Sequence, residues 1–143
     1  MEIDAIRLRT CRVAVRGAPT EPKKWAPQTR GTADHSIPYL IAVAFLDGAV
    51  SPASFTPKRL QDPAVHHLIA RMTVEEDPGF TDRFPEDYPC SLEVTTKAGR
   101  RLAAETSHPP GHGRNPLSKD SSIGSASLTD PARNPRPFPW TTK

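Results

Sequence analysis

Within ten residues, Arg30, Asp34, His35, Ser36 and Tyr39 bring together a guanidinium, a carboxylate, an imidazole, a hydroxyl and a phenol. A phenol can hydrogen-bond a carboxylate or relay a proton at a buried site. An imidazole titrates near neutrality and can act as acid or base. A guanidinium can clamp a carboxylate through two parallel bonds. Tyr39 and His35 are therefore the candidate catalytic groups, and Arg30 is a candidate for binding substrate. Each has a plainer alternative. Tyr39 could be a core aromatic with one hydrogen-bond partner, His35 a brace for a helix end, and Arg30 half of a salt bridge. Asp34 is read as an electrostatic match for a helix N-terminus.

These residues precede a run that is apolar from Leu40 to Leu46. Pro38 lacks an N–H and is tolerated only in the first turn of a helix. The pattern predicts Ser36 as the N-cap, a helix running to about Leu46, and Gly48 as its left-handed stop. Apolar residues on every face require burial. The N-terminus is a positive dipole end flanked by Arg30 and His35, which suits a carboxylate or phosphate and makes Ser36 a further binding candidate.

His112 lies between Gly111 and Gly113, on a loop that can bring backbone close to a ligand. It is the third substrate-binding candidate, against the alternative of a solvated loop histidine. His66 and His67 sit beside a helical apolar stripe with no third ligand at metal spacing, so they are read as surface residues. No phosphate loop, nucleophile elbow or zinc spacing occurs, and neither a metal nor a cofactor is expected.

The elements around these residues follow from periodicity. Ile6 and Leu8 alternate with Arg7 and Arg9, which predicts a half-buried strand, and Cys11, Val13 and Val15 alternate in a shifted phase that suggests a bulge or second short strand. Residues 17–28 read as a loop pinned by Trp25. Ser51-Pro52 could open one helical turn. Asp62-Pro63 opens a helix carrying Val65, Leu68, Ile69 and Met72 on one stripe. Met72 to Glu75 reads as a short strand and Pro78 to Pro89 as a polar loop. Ser91 to Lys97 and Arg101 to Ser107 alternate around Ala98-Gly99 as a hairpin. The sum is an α+β domain over residues 1–117, an antiparallel sheet with helices packed on one face. Residues 118–143 have the Pro- and Ser-rich composition of a disordered tail.

At 143 residues the chain is one domain at most, and 17 prolines are more than double the average usage of about 5%. A net charge of +3 with scattered Lys and Arg argues against a nucleic-acid partner. No apolar run reaches the roughly 18 residues of a membrane helix. Cys11 and Cys90 are read as reduced thiols in a cytoplasmic protein.

The stretch Trp25-x-Pro-x-Thr-Arg-x-x-Ala-Asp-His-Ser-Ile-Pro-Tyr39, followed by Leu46-Asp47-Gly48, resembles the C-terminal domain of the MmgE/PrpD family. Phe55, Leu60-x-Asp-Pro-x-Val65 and Gly111-His112-x-x-Asn-Pro-Leu-Ser118 extend the resemblance to roughly residues 3 to 118. The resemblance implies metal-independent lyase chemistry on small polycarboxylates. Dehydration of 2-methylcitrate comes first, with cis-aconitate decarboxylation or iminodisuccinate epimerisation as alternatives within the family. It implies that Tyr39 lines the substrate pocket. It also implies that the active site lies between this domain and a large helical domain, in a parent enzyme that is a homodimer. This chain lacks that helical domain, so the expectation is a truncated or frame-disrupted product with an incomplete active site. The competing expectation is an inactive remnant or accessory module.

Overall fold

The computed structural model describes residues 2–17, 20–109 and 112–116; the expected disordered tail lies outside the described residues. In chain order the elements are β1 (Ile3–Thr10), α1 (Arg12–Gly17), α2 (Pro22–Trp25), α3 (Arg30–Ala33), α4 (Ile37–Asp47), a 3-10 turn at Pro52–Phe55, α5 (Pro57–Leu60), α6 (Pro63–Ile69), β2 (Met72–Glu76), α7 (Pro78–Arg83), β3 (Cys90–Thr96) and β4 (Arg101–Thr106). The strands form one sheet in the order β2-β1-β3-β4.

The sheet is two-faced because its register aligns the alternation of four strands. Ile6 pairs with Met72 on one side and Val94 on the other, and Val94 pairs with Leu102. All four are buried, and they form a continuous apolar row beneath Tyr39, Ala42 and Val43 of α4 and Val65, Leu68 and Ile69 of α6. One residue along, Arg7 and Arg9 stand on the other face and pair with Glu75, Asp77 and Glu93. A slip of one residue would exchange these faces, so burial itself specifies the register.

The fold is α+β and its sheet mostly antiparallel, with β1–β3 and β3–β4 both antiparallel. The hairpin turns at Gly99, whose φ of 78° is reached at little cost without a Cβ. Four local expectations are corrected. The loop expected over residues 17–28 holds α2 at Pro22–Trp25, opened by Pro22 in its first turn. β1 and β2 pair in parallel, which alternation within a strand cannot reveal; the long connection carrying α4 and α6 provides the crossover that parallel strands need. Residues 12–17 are helical rather than a second strand, with Val15 N–H donating to the Cys11 carbonyl at 3.2 Å. Only Cys11 of that apparent alternation is buried, and Val13 is exposed. The expected polar loop at 78–89 contains α7. Its N-cap Asp77 accepts from Gly79 and Phe80 N–H, and Phe80 is buried.

Candidate functional site

The helix that carries Tyr39 is built by its two caps. Ser36 Oγ accepts the Tyr39 N–H at 3.2 Å, Pro38 occupies the first turn, and Gly48 ends the helix at φ 76°. Ser36 Oγ also donates to the Lys24 carbonyl, and the residue is fully buried. Its proton is therefore engaged inside the chain.

Tyr39 is likewise fully buried, and its hydroxyl donates to the Ser54 carbonyl at 2.5 Å. That carbonyl is held by a reciprocal turn: Ser54 N–H donates to Ser51 O at 2.9 Å, and Ser51 N–H donates to Ser54 Oγ at 3.1 Å. The Tyr39 ring packs on Phe55 with centroids 6.2 Å apart, and the Arg30 guanidinium lies 5.8 Å from the centroid of Phe55. Phe55 thus joins Arg30 to Tyr39. Burial pushes the Tyr39 phenol above its ordinary pKa, with the charge of Arg59 acting in the opposite direction. At neutral pH the group is a neutral hydrogen-bond donor.

Arg59 is a part of this region that the motif reading missed. Its guanidinium donates to Asp47 at the end of α4 and to Asp62, the N-cap of α6. Asp62 is held below the usual carboxylate range, first by the Ala64 N–H and then by Arg59. The signal was present as a cation spaced between two acidic helix ends, but only folding brings the three together.

His35 lies just outside the cap, with a side chain 78% exposed and 3.7 Å from Asp34. Arg30 is exposed. Arg30 and His35 thus reach solvent near the start of α4, while the Tyr39 hydroxyl faces inward.

His112 belongs to a different cluster, between the α7–β3 connection and the segment after β4. Its ring lies 5.0 Å from that of His108, centroid to centroid. His108 Nε2 donates to Asp87 at 2.8 Å. Asp87 also accepts two bonds from Arg83, at 3.1 and 3.0 Å, and one from Arg114 at 3.2 Å. Arg83 first, and His108 next, hold the Asp87 carboxyl below its usual range. Sequence reading missed His108 and Asp87. The His-x-x-x-His spacing of residues 108 and 112 was the available signal.

Among the described residues no group of three or more His, Cys, Asp or Glu is placed to hold a metal ion. His66 is half-buried, its Nε2 2.8 Å from the Leu60 carbonyl, and His67 is exposed. No described helix is long and apolar enough to cross a membrane. Both cysteines are free thiols.

A mostly antiparallel sheet covered on one face by helices, with a buried phenol at the first turn of the central helix, defines a small α+β domain. The chain belongs to the MmgE/PrpD family, matching its C-terminal domain over residues 1–123. It is 29% identical over 94 residues to a cis-aconitate decarboxylase of Mus musculus, covering 66% of this chain and 19% of that protein. It is 35% identical over 91 residues to a 2-methylcitrate dehydratase-like protein, oryR, of Aspergillus oryzae, covering 58% of this chain and 18% of that protein. It is 28% identical over 120 residues to a mitochondrial 2-methylcitrate dehydratase of Yarrowia lipolytica, covering 78% of this chain and 22% of that protein. The chain spans about a fifth of the length of the curated relatives it matches.

Proposed function

We propose that this chain is the smaller domain of a metal-independent, cytoplasmic lyase for small polycarboxylates, and that its reaction is removal of water from 2-methylcitrate in propionate catabolism. The observation that carries the proposal is the family match over residues 1–123, which contains Arg30, His35, Ser36, Tyr39 and His112. The names of the relatives specify tricarboxylates as substrates, either 2-methylcitrate or cis-aconitate. Such substrates need cations to hold carboxylates and a positioned acid/base pair at the carbon bearing the transferred proton.

In this reading a helical domain supplies the opposite wall of the pocket, and the assembled enzyme is a homodimer. Arg30 holds a substrate carboxylate. The neutral Tyr39 phenol exchanges the Ser54 carbonyl for the substrate and donates to the charge that develops as hydroxide leaves. His35, at the exposed end of the same helix, is the second titratable group. The base that takes the proton from carbon is supplied by the helical domain, so that proton loss and departure of the hydroxyl as water balance. Ser36 fixes the turn from which Tyr39 projects, and His112 contributes a further carboxylate contact.

A second reading, an inactive remnant or accessory module, is favoured by one observation: the Tyr39 hydroxyl is inaccessible and already bonded within this chain. One experiment separates the two. The chain is assayed for 2-methylcitrate dehydration alone and mixed with the helical domain of a full-length relative. Activity in the mixture supports the enzyme reading. Tyr39→Phe should then lower turnover on the order of a hundredfold, the scale expected for loss of a donor to developing charge. An unchanged rate removes Tyr39 from the site. Carbon dioxide release from cis-aconitate would move the assignment to decarboxylation. Turnover by the isolated chain would refute the remnant reading.

A further inference from the structure

The Gly-His-x-x-Asn-Pro stretch leaves a geometric question: what aims His112? The Arg114 backbone N–H donates to His112 Nδ1 at 3.2 Å. A backbone amide can only donate, so Nδ1 must accept, and the single proton of the neutral ring then sits on Nε2. The ring is fixed from several directions. His112 N–H donates to the Pro109 carbonyl at 3.0 Å, and Asn115 N–H donates back to the His112 carbonyl at 2.8 Å. Its face lies against His108, with the planes inclined at 41°.

His108 is itself immobilised. Asp87 accepts its Nε2–H, and Asn115 Nδ2 donates to its carbonyl at 2.9 Å. Arg83 anchors both sides of this junction, donating to Asp87 and, at 2.6 Å, to Ser107 Oγ. Tyr88 N–H donates to the Ser107 carbonyl at 2.9 Å. The outlying charges are Glu105, 3.9 Å from Arg83, and Glu86, 3.9 Å from Arg114. The Asp87 carboxylate is matched by Arg83, Arg114 and the His108 N–H. The guanidinium of Arg114, mostly exposed, stands beside the loop that carries His112.

We propose that Asp87 and His108 are positioning residues for His112, fixing the ring so that its Nε2–H is presented to a substrate carboxylate. The inference rests on the polycarboxylate reading for the chemistry of the ligand, and on the loop geometry for the role of the two residues. A carboxylate that carries the wrong charge for Asp87 is not repelled, because that negative charge is already spent on Arg83, His108 and Arg114. A preformed donor saves the orientational cost of ordering a free imidazole.

The test uses the 143-residue chain, labelled with nitrogen-15, with citrate as the probe. Long-range nitrogen–proton correlations report each histidine tautomer, and His112→Gln assigns the resonances. The wild-type chain should show His112 as the Nε2–H tautomer, and citrate should shift its Nε2. Asp87→Asn and His108→Phe should give mixed tautomers at His112 and raise the citrate dissociation constant about tenfold, while Asp87→Glu restores most of both. Resonances of β1 to β4 check that the variants are folded. An Nδ1–H tautomer in the wild-type chain overturns the proposal without any variant. So does a tautomer or an affinity that ignores both substitutions, or citrate binding that leaves His112 unmoved. Loss of the Tyr39 assignment in the turnover assay would leave these spectra unaltered, so the two readings fail separately.

Discussion

The Tyr39 hydroxyl donates to the Ser54 carbonyl at 2.5 Å and thereby ties the first turn of α4 to the 3-10 turn at Pro52–Phe55. Both residues are buried. The bond gives the phenol a structural partner and a defined direction before any substrate is present.

Removing that hydroxyl should have a measurable structural cost. In Tyr39→Phe the ring still fills its space against Phe55, but the Ser54 carbonyl loses its donor. An unsatisfied buried acceptor costs about 1–3 kcal/mol. Urea unfolding of the isolated chain should show a loss in that range, with the slope unchanged. An identical midpoint would mean that Ser54 finds another donor.

The two sheet faces should respond differently to truncation. Ile6 is 1% exposed at the centre of the apolar row, so Ile6→Ala should cost about 2–5 kcal/mol through lost transfer energy and the cavity left behind. Arg7 pairs with Glu75 on the solvent face, both side chains near half exposed. Arg7→Ala should cost far less, and added salt should shrink the difference further. Equal losses in a denaturation series would contradict the facing derived from the register.

Stability should fall on acidification because of two carboxylates. Asp62, capped on Ala64 N–H and paired with Arg59, and Asp87, bonded by Arg83 and His108, both have depressed pKa values in the folded chain. Their contribution is present above the unfolded value of about 4 and is lost as pH falls through the lower folded values. Asp62→Asn and Asp87→Asn should each flatten the acid limb of a stability–pH curve. An unaltered acid limb in both would mean that these pairs add nothing to the folded state.

The thiols should be quiet in the native chain. Burial first, and the nearby Cys11 second, push the Cys90 thiol up to about 11 from 9.0. At pH 8 only about one part in a thousand is then thiolate, and the thiolate is the reactive form. Labelling by iodoacetamide should be at least about a hundredfold slower in native protein than in urea. The folded thiol is raised, so its stabilising contribution is complete below 9.0 and is lost as pH rises toward about 11. Rapid native labelling at pH 8 would show that the end of β3 opens.

The part of the fold legible in the sequence is the part made by neighbours. Ser36, Pro38 and Gly48 delimit α4 to within a residue because cap, first-turn proline and left-handed stop are contacts inside one helix. Asp62-Pro63 opens α6 for the same reason, and Gly99 marks the hairpin between β3 and β4. The Asp77-Pro78 start of α7 carried the same local signal, obscured by the polar residues that follow Phe80. The alternation at Cys11 to Val15 misled because three apolar positions over five residues fit a strand and one helical turn almost equally.

The sequence by itself determined the family, the apolar and polar faces of β1, β3 and α6, and the helix that carries Tyr39. Only the tertiary structure decided that β2 returns parallel to β1, that the Tyr39 hydroxyl turns inward to Ser54, that Arg59 bridges Asp47 and Asp62, and that His112 packs on His108 above Asp87. The physical reason is range. Caps and periodicity are set by bonds within a few residues, whereas each of these relationships joins segments whose separation along the chain carries no record of their separation in space.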